Sequence, residues 1–143
     1  MYKIKRTIYG FKLIFGGYIQ KQEIHDWINE IENELSSITN NFGIIVDMSA
    51  IKTPQPILSE VTVISQNLRK IIKTRGKHRL VIALNDKSVI DQLNKISKDY
   101  GFYERERYLN ARKSFTWEKK AIDWVVNAKD PDIKQDDLQA AFV

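Results

Sequence analysis

The chain has 143 residues, 43% apolar and 29% charged, the balance of an ordinary soluble domain long enough to bury a core. It has no cysteine, which excludes disulfides, thiolate metal sites and cysteine nucleophiles. Its two histidines, His25 and His78, stand too far apart for a clustered metal motif, and the net charge of +5 is modest.

The charge is distributed in blocks. Residues 1–22 carry five basic and no acidic side chains, and residues 23–34 carry five acidic and no basic ones. The surplus therefore lies in residues 69–85, where Arg69, Lys70, Lys73, Arg75, Lys77 and Arg79 meet no acid. Cations at a helix end complement its negative pole, a sufficient structural reason for the cluster. No aromatic residue interleaves it and no nucleic-acid-binding pattern accompanies it, which argues against nucleic acid as partner. There is no apolar run of about 18 residues to span a membrane. The charged start Met1–Arg6 lacks a signal peptide's apolar segment, so a cytoplasmic protein is expected.

In chain order, residues 2–8 alternate Tyr2, Ile4 and Ile8 against Lys3, Lys5 and Thr7, the period of a half-buried strand. Tyr9-Gly10 turns the chain, Phe11, Leu13 and Phe15 share one face of a second strand, and Gly16-Gly17 ends or bulges it. An antiparallel hairpin at the sheet edge is predicted. Ile24, Trp27, Ile28, Ile31, Leu35 and Ile38 then mark an amphipathic helix over 23–38, with acids crowded into its first turns. Phe42-Gly43-Ile44-Ile45-Val46-Asp47-Met48-Ser49 reads as a strand buried on both faces, with Asp47 near its C-terminal end. A two-proline loop follows, with Pro56 set for a first helical turn. A second helix carrying Val61, Ile64, Leu68 and Ile71 is predicted to run to about Thr74 and to end at Gly76.

Leu80–Leu84 is a second buried strand, and Asn85-Asp86 caps the helix after it. Val89, Leu93, Ile96 and Tyr100, with Ile90 beside them, are expected to form that helix's inner face. Tyr103–Leu109 reads as a short polar edge strand whose charges guard an open edge. Ser114 or Thr116 starts a last helix containing Trp117, Ala121, Ile122, Trp124, Val125 and Ala128, which Asp130-Pro131-Asp132 breaks. The predicted fold is a single-domain α/β mixed sheet over residues 1–128, in the order ββαβαβαβα, with helices packed on the sheet. Residues 129–143 form a tail, either a short helix or partly disordered.

In open α/β sheets, ligands gather at the C-terminal ends of the strands. The edge after the central strand collects Asp47, Ser49, Lys52 and Thr53, and the next strand adds Asn85 and Asp86. If the last strand is parallel too, Asn110 and Arg112 join them. Asp47 and Asp86 either share a proton across neighbouring strands or serve locally, as a loop acceptor and a helix cap. The chain has no Gly-x-Ser-x-Gly elbow, phosphate-binding loop, metal motif or usable histidine–carboxylate pair, so no enzyme, cofactor or metal is expected.

Gly16-Gly17-Tyr18-Ile19 before an acidic helix, with Ile44-Ile45-Val46-Asp47-Met48-Ser49, resembles the STAS-type fold of anti-sigma-factor antagonists. Arg75-Gly76-Lys77-His78-Arg79, Tyr103-Glu104-Arg105-Glu106-Arg107-Tyr108 and Ala121-Ile122-Asp123-Trp124 look like the STAS-like branch grouped with lipid-transfer CRAL-TRIO domains. The pattern covers residues 2–128. The regulatory family carries an Asp-Ser-Ser-Gly motif in the loop after its strand aspartate. Here those positions hold Gln55, Pro56, Ile57 and Leu58, without an acceptor hydroxyl, and Thr53 and Ser59 are the nearest ones. The resemblance implies a bacterial-type, non-enzymatic regulatory module that binds a protein partner or small ligand at the Asp47–Thr53 edge, with a homodimer left open. The alternative it implies is a carrier of a small apolar ligand or lipid, with a helix–sheet pocket near Trp27, Phe42 and Trp124.

Overall fold

A computed structural model of the protein describes residues 1–18, 20–36, 42–51, 58–75, 78–112 and 116–131. The alternating start of the chain forms β1 (Tyr2–Thr7) and β2 (Gly10–Gly17), an antiparallel pair with Ile4 opposite Leu13. The hairpin turn requires Gly10, whose φ of +143° disfavours other residues, and a Cβ there would lie 2.2 Å from the Gly43 carbonyl oxygen. Then come α1 (Lys21–Ser36), β3 (Gly43–Ile51), α2 (Leu58–Arg75), β4 (Arg79–Leu84), α3 (Lys87–Asp99), β5 (Glu106–Asn110) and α4 (Trp117–Asn127). The order ββαβαβαβα and the mixed sheet are as the residue pattern predicts. Pro56, Gly76, Ser114 and the tail from 132 onward lie outside the described residues.

The five strands lie side by side in sequence order, β1-β2-β3-β4-β5, parallel from β2 onward. Three successive right-handed crossovers in one direction must put α1, α2 and α3 on the same face. The packing agrees with that rule. Phe11, Leu13, Phe15, Ile44, Val46, Met48, Leu80, Ile82 and Leu84 share a core with Trp27, Ile31, Ile64, Leu68, Val89 and Leu93. The alternate residues Ile45, Val81 and Leu109 face the other way, against Ala121, Trp124 and Val125 of α4. The Trp124 indole N–H donates to the Leu80 carbonyl at 3.2 Å, and Arg79 Nη1 donates to the Val125 carbonyl.

The first two charge blocks meet in space. On β1, the Tyr2 hydroxyl donates to Glu30 at 2.7 Å and Arg6 Nε to Glu34 at 3.0 Å, while the terminal ammonium reaches Glu23. These exposed contacts each contribute little, but they orient the edge strand over the acidic face of α1. No helix among the described residues is long and apolar enough to cross a membrane.

Two expectations are corrected. The inner face of α3 is Val89, Ile90, Leu93 and Ser97, while Ile96 and Tyr100 are exposed. The helix is turned so that the Ser97 hydroxyl reaches Glu106. β5 is indeed an edge strand, but its charges do not guard the edge. Glu106 and Arg107 are only 3% and 6% exposed and alternate between the two faces. Both faces of β5 are covered, so each charge is paired inside: Glu106 with Arg69 of α2, Arg107 with Asp130 after α4.

α4 packs tightly over Gly43, where a Cβ would lie 2.5 Å from the Val125 Cβ. Gly43→Ala is expected to destabilise the protein by about 1–3 kcal/mol through overpacking. Val125→Ala in the same chain should recover part of that loss, read from urea denaturation midpoints. Strictly additive costs would show that the two residues do not share this contact.

Candidate functional site

β3 runs beside β2 in regular register until Ile14 faces Asp47; the next pairs are Gly16 with Ala50 and Gly17 with Ile51. Two residues of β2 thus span what three residues of β3 span. The extra residue makes a bulge between Asp47 and Ala50, in a parallel pair where bulges are rare. Side chains hold it. Asp47 Oδ1 accepts from the Ser49 amide at 3.0 Å and from the Ser49 hydroxyl at 2.6 Å. Asn85, at the end of β4, donates from Nδ2 to the Ser49 carbonyl. Asp47, flanked by Ile14 and Ala83, shares the sheet face on which α4 packs, and it is half-buried there.

Of the residues expected at this edge, Asp47, Ser49 and Asn85 come together. Asp86 sits next to Asn85, but its carboxylate is turned into α3 and accepts from the Val89 amide at 3.1 Å, the N-cap of that helix. Lys52 and Thr53 lie outside the described residues. β5 is parallel to β4, so Asn110 reaches the same edge, where its Oδ1 accepts from the Arg112 amide. The carboxylates thus act locally, one in the bulge and one at a helix cap.

Reading the sequence alone missed Tyr18. β2 is parallel to β3, so its C-terminal end, Gly16-Gly17-Tyr18, lies on the same rim, and the Tyr18 side chain is 68% exposed there. The hairpin pattern predicts β1 pairing with β2 but not which strand lies on the other side of β2, so nothing local placed Tyr18 on the rim where β3 ends.

A second polar assembly lies at the opposite ends of the strands. Arg69 donates from Nε and Nη2 to the two oxygens of Glu106, at 2.8 and 2.7 Å, and Ser97 and Tyr108 donate to Glu106 Oε1. Burial works against the Arg69 charge, but the Glu106 carboxylate outweighs it and raises the guanidinium pKa. Burial, reinforced by Glu106, pushes the Tyr108 phenol from 10.0 up to about 12. The only forewarning in the sequence was parity: Glu106 alternates in phase with Tyr108, an inward residue.

The three aromatics considered for an apolar pocket do not share one. Trp27 and Phe42 pack with Phe15, Phe11 and His78 on the α1–α3 face, while Trp124 lies on the other face of the sheet.

Asp47→Ala and Asn85→Ala each remove a support of Ser49 and should each cost about 1–2 kcal/mol. The double variant should cost less than their sum, measured by chemical denaturation, because both act on one bulge; full additivity would mean the bulge is held otherwise. Tyr108 supplies a pH prediction. The unfolded chain releases this proton from about pH 10, whereas the folded chain holds it to about 12. Stability present below pH 10 is therefore lost as pH rises through about 12. Tyr108→Phe should flatten the decline of the urea midpoint with pH over that window, and an unchanged slope would exclude the buried phenol as its source.

The comparisons with known proteins close without a relative: the chain matches no protein-family model, no curated protein and no solved structure.

Proposed function

We propose that this protein is a STAS-like, non-enzymatic module of the cytoplasm that binds a protein partner at the C-terminal rim of its sheet. The observation that carries the reading is a bulge pinned by Asp47 and Asn85 on the rim at which β2 ends in the exposed Tyr18. Bulges of this kind re-aim side chains and are enriched next to functional sites. A large exposed aromatic on a rigid ledge is the residue type that anchors protein interfaces. The rim carboxylates hold main chain in place, which fits a recognition surface better than acid–base chemistry. The element order ββαβαβαβα and the central place of Ile44–Ser49 support the STAS-like assignment, while Gln55 and Pro56 stand where that family's phosphorylated motif would be.

The test is affinity capture from cell extract with wild-type, Tyr18→Ala and Asp47→Ala proteins, their folding checked by circular dichroism. A specific partner should be retained by the wild type and reduced about tenfold or more by Tyr18→Ala, the loss expected of an interface anchor. Equal recovery by all three proteins would remove the rim as the binding surface. Native mass spectrometry supplies the competing outcome: a co-purifying small molecule that Tyr18→Ala releases would make the rim a ligand site instead.

A further inference from the structure

At the end of the sheet away from Asp47 there is a half-open cleft of about 300 Å³. Arg69 and Ile72 of α2, Leu80 at the start of β4, Gly101 and Phe102 after α3, and the Glu104–Glu106 segment leading into β5 line it. The volume is at the lower end of small-molecule sites, and an apolar lining with a few converging polar groups is their usual composition.

The polar groups are not equivalent. Glu106 is filled: one oxygen accepts from Arg69 Nη2, Ser97 and Tyr108, the other from Arg69 Nε. Its capacity to attract a cationic ligand is spent. Arg69 is different, because a guanidinium has five N–H donors, of which the bidentate pair uses two and Tyr108 engages another. Its side chain remains 22% exposed toward the cleft. It is also held still, with its plane packed 4.1 Å from the centre of the Phe102 ring and its fork locked on Glu106. A cation immobilised in advance loses little further rotamer entropy on binding. Glu104 and Arg105, both exposed at the mouth, offset one another in charge. The partly exposed Arg69 guanidinium is therefore the group that favours an anion here. Ile72 and Leu80, largely buried, form the apolar floor, and Phe102, 38% exposed, offers an aromatic wall continued by Tyr100.

We propose that this cleft binds a small aromatic carboxylate, its ring against Phe102, Ile72 and Leu80 and its carboxylate on Arg69. The site is separate from the Tyr18–Asp47 rim, and the two stand or fall independently.

Titration of ¹⁵N-labelled full-length protein with 2-naphthoate tests it, with uncharged 2-naphthol as the matched control. Naphthoate should shift the amides of Leu80 and residues 101–106. It should bind more tightly than naphthol, and Phe102→Ala should weaken it about tenfold, the scale of one lost aromatic contact. Arg69→Met alone would leave Glu106 buried without its partner, so the charge is removed as the pair Arg69→Met with Glu106→Gln. That protein should bind naphthoate no better than naphthol. Asp47→Ala should leave the titration unchanged. Shifts confined to other residues, equal affinity for naphthoate and naphthol, or wild-type affinity in Phe102→Ala, its folding checked by circular dichroism, would each overturn the proposal.

Discussion

The stretch Ile44–Val46 of β3 is apolar and buried on both faces, and this double burial is the constraint to which the rest of the molecule answers. Sequential right-handed crossovers cover one face three times over and leave the other bare. One helix, α4, must close it. That requirement explains why Gly43 lacks a side chain under Val125 and why Trp124 both packs on the sheet and donates to the Leu80 carbonyl. It also explains the Arg107 arrangement, with its guanidinium 3.3 Å from the centre of the Tyr103 ring and 4.2 Å from that of Trp124, next to Asp130. The cation is a spacer between two aromatic plates and a tie for the segment after α4.

The uninterrupted strand order has a functional consequence. Doubly wound sheets owe their ligand crevice to a reversal in strand order, where neighbouring loops diverge to opposite faces. No reversal occurs in β1-β2-β3-β4-β5. Among the described residues of the C-terminal rim, the individual feature is a local device, the bulge at Asp47–Ala50. An internally braced bulge suits contact with another surface, whereas the cleft between α2 and the loop after α3 lies at the other end of the sheet.

The charged pair on β5 separates two kinds of stabilisation. Replacing a buried ion pair by apolar residues often costs little, so Arg69–Glu106 is weak evidence of extra stability. Its effect is geometric. Ser97 and Tyr108 complete the acceptor set of Glu106, and together they fix how α3 is rotated against β5. Ile96 and Tyr100, apolar and at helical spacing, lose the inward position to a serine because the carboxylate needs a donor more than the core needs two more side chains.

Much was legible from residue order. Period-two and period-3.6 patterns and two uninterrupted apolar runs located the nine elements of the described residues, the Asp86 cap was recognisable from Asn85-Asp86 before an apolar stripe, and Asp47, Ser49 and Asn85 were placed on one edge. These are local signals, carried by spacing and by the hydrogen-bonding habits of short polar side chains. Tertiary structure alone decided the rest: that β2 lies parallel to β3 and brings Tyr18 to the rim, that Trp27 and Trp124 are separated by the sheet, and that Glu106 and Arg107 point to opposite faces into partners 37 and 23 residues away. The physical reason is common to all three. Strand adjacency and the pairing of buried charges depend on residues distant in sequence, and a periodic pattern states which face a side chain takes without naming what it will meet there.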